Sequence, residues 1–128
     1  MSGHPAEMAI RRSLHDGQLL STPSRAAPFI VSRIDDGGVT MLFGRQQTPT
    51  HFGWPVWESV LAFLGGSGWV ELGGRFATQT APGSLDSYLK NHMKRATAGW
   101  VAVVLEAAGL VEIDRRRPAR VRVNQPLP

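Results

Sequence analysis

The strongest constraint on the fold is a change of apolar period at Gly109, within residues 84–123. Before it, Ser84 is a natural N-cap. Leu85, Tyr88, Leu89, His92 and Met93 follow the i, i+3, i+4, i+7, i+8 pattern of one helical stripe. Asp86 and Lys90 stand four apart on the opposite side. Lys94-Arg95-Ala96 is a compact connection, and Thr97 can cap a second helix with Trp100, Val101, Val104, Leu105 and Ala108 on its apolar face. Gly109 is placed to end that helix. After it, "LVEI" and "ARVRV" read as two strands around "DRRRP". Ala119, Val121 and Val123 alternate with Arg120 and Arg122, so the valines pack inward while both arginines project outward.

The first half carries different signals. Residues 1–27 form an N-terminal arm, expected to be partly ordered. A short helix over Ala6 to Leu14 breaks near Asp16-Gly17, and "STPSRAAP" reads as a linker. The body begins at Pro28 and is predicted to be a single domain over residues 28–128. "FIVSRI" and "VTMLF" flank "DDGG", a strong hairpin signal. Ile30 and Ile34 fall on one side of the first strand, with Phe29 and Val31 on the other. The polar stretch "GRQQTPTHFG" reads as a loop. "WPVWESVLAFLGG" reads as a helix, with Pro55 at its first position and Val56, Trp57, Val60, Leu61 and Leu64 toward the core. "GWVELGG" is a short strand between glycine turns, and "RFATQTAPG" is a loop. The predicted class is α+β: an N-terminal β-hairpin plus helix joined to the helix-helix-hairpin segment.

Charge is distributed unevenly. The chain of 128 residues carries a net +4. Residues 1–83 hold six Arg against six acids, which cancel; residues 84–128 hold eight Lys/Arg against Asp86, Glu106, Glu112 and Asp114. The whole excess therefore belongs to the C-terminal segment, and a basic segment on a neutral body attracts polyanions. With no cysteine, disulfides, thiol nucleophiles and thiolate metal sites are excluded, which fits a reducing cytoplasm. The apolar runs are too short to span a membrane.

Helix, three-residue turn, helix and two-stranded hairpin is the element order of winged-helix domains, which residues 84–123 resemble. "TAGWVAVVLEAAGLVEIDRRRPARVRV" looks like their second helix running into the wing. The resemblance implies a reading helix over Thr97 to Ala108, directed at a DNA major groove, and a wing tip at Arg115, Arg116, Arg117 and Pro118. The sequence departs from that pattern. Thr97, Ala98, Gly99, Ala102 and Val103 are too short or apolar to supply many bonds to base edges. The expectation is therefore contact with the phosphate backbone, by Lys90, Lys94 and Arg95 at the turn and Arg115, Arg116, Arg117, Arg120 and Arg122 on the hairpin. The nucleic acid implied is DNA ahead of RNA. The plainer reading makes these residues solvated surface, with Glu112 and Asp114 neutralising part of the hairpin. A rival function is a protein-interaction module, as a homodimer or a subunit of a larger complex.

Catalytic signatures are lacking. His4, His15, His51 and His92 show no metal-ligand spacing, and Asp35-Asp36 before Gly37-Gly38 are turn residues. "GGSG" at residues 65–68 has no Lys-Ser/Thr following it as a phosphate-binding loop requires. No enzyme activity, cofactor or metal is expected. The distant alternative is a small-molecule pocket around His51 and Trp54. Of the four tryptophans, Trp57 and Trp100 are read as core, and Trp54 as the candidate surface contact.

Overall fold

The turn at Asp36-Gly37 closes a hairpin, and that hairpin is the centre of a larger sheet. The computed structural model describes residues 5–22, 28–43, 48–65, 68–72, 84–85, 88–89, 98–116 and 119–124. Strands β1 (Gln18–Ser21), β2 (Pro28–Asp35), β3 (Gly38–Phe43) and β4 (Thr48–Gly53) form an antiparallel sheet in the order β1-β2-β3-β4. Phe29 and Val31 of β2 and Val39 and Met41 of β3 are buried, so one face of the sheet is core. Ser32 is an extra residue where the β2–β3 register shifts between Val31 and Arg33.

One of these strands goes beyond the sequence expectation and one contradicts it. β1 ends on Ser21, the first residue of the expected linker, and β4 occupies the expected polar loop. β4 presents little apolar periodicity of its own. It alternates exposed Pro49 and His51 with buried Thr50 and Phe52, and Pro49 is tolerated because β4 lies at a sheet edge. Pairing with β3 supplies the order that composition does not.

Helix α1 (Pro5–Ser13) falls within one residue of its predicted span, and buries Ala6, Ala9 and Ile10. Its N-terminus is capped from another helix. The Glu58 carboxylate accepts from Ala6 N–H at 3.2 Å and Glu7 N–H at 3.0 Å, serving two donors that the helix leaves unpaired. Glu58→Ala should therefore cost about 1–2 kcal/mol, the usual range for loss of a cap. Chemical denaturation would show the loss, and amide exchange should rise first at residues 6 and 7.

Helix α2 (Trp54–Gly65) buries Trp54, Trp57, Val60 and Leu64, while Val56 and Leu61 are half-buried. The indole N–H groups of Trp54 and Trp57 donate to Asp35 O at 2.9 Å and Phe52 O at 3.1 Å, tying α2 to the first sheet. Further on, Leu85, Tyr88 and Leu89 have helical backbone, and Tyr88 N–H donates to Ser84 O at 3.1 Å. Phe63 stacks on Tyr88 at 4.3 Å, and Ser59 hydrogen-bonds to the Tyr88 hydroxyl, joining this stretch to α2. His92 and Met93, expected on the same stripe, lie outside the described residues.

Helix α3 (Ala98–Ala107) ends as its sequence predicts. Gly109 adopts φ +81°, with its N–H on Glu106 O at 2.9 Å and Leu110 N–H on Leu105 O at 3.0 Å. These two bonds form a Schellman cap. Strands β6 (Val111–Asp114) and β7 (Arg120–Val123) follow as an antiparallel hairpin. The short β5 (Val70–Glu71) joins the free side of β7, giving the order β5-β7-β6. The fold is α+β, with three helices, a four-stranded and a three-stranded antiparallel sheet among the described residues. One core cluster runs through both sheets and all three helices.

Candidate functional site

The hairpin of β6 and β7 obeys strand alternation. Val70, Val111 and Val121 are buried on the inner face of the three-stranded sheet. Glu71, Arg120 and Asp114 are neighbours across the three strands, since Arg120 is in register with both acids. One pleat along, Arg122 stands in register with Glu112. The outward projection of Arg120 and Arg122 thus follows from the inward packing of Val121 between them. The valine half of the expectation is met more loosely, because Ala119 and Val123 are half-buried.

Of the eight basic residues singled out by sequence, Arg115, Arg116, Arg120 and Arg122 are described; Lys90, Lys94, Arg95 and Arg117 lie outside the described residues. Three of the four described arginines are held by carboxylates. Arg115 grips Glu106 with both terminal nitrogens, at 2.7 and 2.6 Å, linking the hairpin to α3. Arg116 donates from Nε and Nη2 to the two oxygens of Asp114 at 3.1 and 3.2 Å. Arg122 donates from Nε to Glu112 at 2.5 Å. Arg120 is exposed and forms no ion pair among the described residues.

Asp114 is the most strongly engaged acid of this group. The Arg116 backbone N–H bonds its Oδ1 at 3.0 Å, and this bond, followed by the Arg116 side chain, holds its carboxyl below the usual carboxylate range. The contribution is therefore present at neutral pH and is lost as pH falls through the depressed value. Arg116 is held by an acid yet remains open, with its side chain 90% exposed. Around this sheet, Arg115, Arg116, Arg120 and Arg122 balance Glu71, Glu106, Glu112 and Asp114, four charges against four. The neutralisation that the plainer sequence reading assigned to Glu112 and Asp114 is present, and Glu106 and Glu71 extend it. Most of the positive excess of the C-terminal segment therefore resides on residues outside those described.

The middle of the helix expected to read a groove is not exposed. Val101, Ala102, Val103, Val104 and Leu105 are all buried, at 0–4% exposure. Helix α3 is packed against α1, β1 and β6, and Trp100 stacks on Phe43 of β3. For residues 101–105 this corrects the groove-facing placement that the resemblance implied; Thr97 lies outside the described residues.

The tryptophan expectation also changes. Trp54 is 6% exposed, whereas Trp69 is 40% exposed, with the Arg122 guanidinium 4.6 Å above its ring. Trp69 could have been found from phase: Val70 and Leu72 point inward, so Trp69 and Glu71 point out. No such signal singles out Glu106, which belongs to a helix of otherwise apolar composition.

His51 and Asp35 make hydrogen bonds within the first sheet. His51 lies with Nδ1 2.9 Å from Thr40 Oγ1 and Nε2 3.2 Å from Gly37 O, so it braces the β2–β3 turn. Asp35 accepts from Gly37 N–H at 2.9 Å, as its turn position predicts. Among the described residues, no group of three or more His, Asp or Glu could hold a metal ion. No described helix is long and apolar enough to cross a membrane. No family model, curated protein or solved structure matches the chain.

Proposed function

We propose that this protein is a non-catalytic module that contacts the phosphate backbone of nucleic acid, DNA ahead of RNA, through the β6–β7 hairpin. In this reading residues 84–123 are a winged-helix-like unit. The observation that carries it is the outward row of arginines: Arg120, exposed and in no ion pair among the described residues, with Arg122 beside it on the same face and Arg116 at the solvent-exposed turn. Lys90, Lys94, Arg95 and Arg117, which the sequence assigns to the same contact, lie outside the described residues.

Burial of α3 favours binding without base readout, since the sequence code is read by side chains that reach the groove floor. Affinity for a labelled DNA duplex of arbitrary sequence should fall steeply with salt. Arg120→Ala should lessen the slope of log K against log salt by about one, as loss of one phosphate contact requires. Fluorescence anisotropy over a salt series measures both. A chain that binds neither DNA nor RNA at low salt would remove this reading.

A second reading, a protein-interaction or dimerisation module, is favoured by a specific pair of residues. Leu19 is 64% exposed on edge strand β1, and Trp69 is exposed beside the second sheet. Light scattering after size exclusion decides whether the chain self-associates.

A further inference from the structure

We infer that Glu106, Glu112 and Asp114 determine which anions the hairpin accepts: they hold the phosphate-binding forks of Arg115, Arg122 and Arg116, so that a contiguous phosphate polymer binds and an isolated phosphate does not. This inference rests on the phosphate-contact reading above. Arg115 on Glu106 and Arg116 on Asp114 each use two nitrogens on two carboxylate oxygens, the geometry in which a guanidinium also takes a phosphate. Arg122 on Glu112 has the same charge pairing through Nε. The arginines are thus already oriented, and their places are filled.

The exchange is nearly balanced at any one fork. An isolated phosphate gains one charge-assisted pair, breaks another of the same kind and leaves a carboxylate beside itself. Exposed ion pairs are weak, so neither side of that exchange dominates. A polymer changes the outcome because adjacent phosphates engage several forks at once, and Arg120, in register with Glu71 and Asp114 but in no ion pair among the described residues, adds a contact without opening a fork. The acids therefore lower affinity for every anion, but leave only the polymer with a net gain. They also mute the salt dependence: each displaced carboxylate recruits a cation as DNA releases one.

The test removes the three negative charges while preserving side-chain shape, in the variant Glu106→Gln/Glu112→Gln/Asp114→Asn. Its control removes three charges elsewhere, in Glu7→Gln/Asp35→Asn/Asp36→Asn on α1 and the β2–β3 turn. The hairpin variant should bind the DNA duplex roughly tenfold more tightly at low salt, with a slope steeper by about two to three. At constant ionic strength, it should also become sensitive to competition by inorganic phosphate replacing chloride, an exchange that leaves the wild-type complex unaffected. Glu112→Gln alone should show a smaller gain and serves if the triple variant does not fold, as judged by circular dichroism.

Equal gains in hairpin and control variants would reduce the effect to net charge and overturn the inference. So would a folded hairpin variant whose affinity is unchanged or lower. Failure of the functional reading looks different. If the wild type binds no nucleic acid while the hairpin variant alone does, the acids still mask the forks, but the wild-type role is not DNA contact. If neither binds, both conclusions fall.

Discussion

Ala102→Arg should unfold the domain or leave it marginally stable. Ala102 has no exposed surface, and α3 is enclosed by α1, β1 and β6. An arginine there must either bury an unpaired guanidinium or push the elements packed on α3 apart. Overpacking alone costs about 1–3 kcal/mol, and an uncompensated buried charge adds several more. Together these consume much of the roughly 5–15 kcal/mol that stabilises a typical domain. Thermal melting by circular dichroism should show a large fall in Tm or no cooperative transition. The same substitution on an exposed groove-reading helix would fold normally and strengthen DNA binding. A stable Ala102→Arg protein with raised DNA affinity would therefore restore α3 as the reading element.

Gly38→Ala should be the second severe change, and Gly37→Ala should not. Gly38 has φ +139°, where residues with a side chain are strained, and it begins β3 directly against the end of β4. A Cβ there would lie 2.2 Å from Phe52 O and 2.7 Å from Gly53 Cα. Both obstacles are backbone atoms fixed in the sheet, so no rotamer change relieves the clash. The backbone strain alone is worth about 1–3 kcal/mol, and the steric conflict adds to it. A Cβ on Gly37 would meet only Asp35 Oδ1, at 3.4 Å, and two more distant His51 atoms. Urea titration of the two variants compares them directly; equal stabilities would mean that β3 and β4 do not approach as closely as described.

The same turn shows how much local sequence carries. "DDGG" between two apolar runs locates the hairpin, because a tight reversal needs small residues and Asp side chains that bond their own backbone. It does not say which glycine is indispensable. That depends on β4, a strand that composition presented as a loop. Similarly, the sequence locates all four described arginines but leaves their partners open. Glu112 is legible because cross-strand spacing brings it beside Arg122. Glu106 is not, since its pairing with Arg115 depends on how the hairpin folds back toward α3.

Local periodicity alone determined the helical stretches, the Gly109 stop, the alternation of the terminal hairpin and the α+β class. These follow from interactions within a few residues, where spacing is enough. Tertiary structure alone decided that β1 and β4 extend the first sheet and that β5 joins β7. It also buried residues 101–105 of α3 and gave three of the described arginines to acids. Each of those outcomes depends on which surface a segment meets, and a small apolar residue such as Ala102 suits an exposed face and a buried one equally well until the neighbouring elements are placed around it.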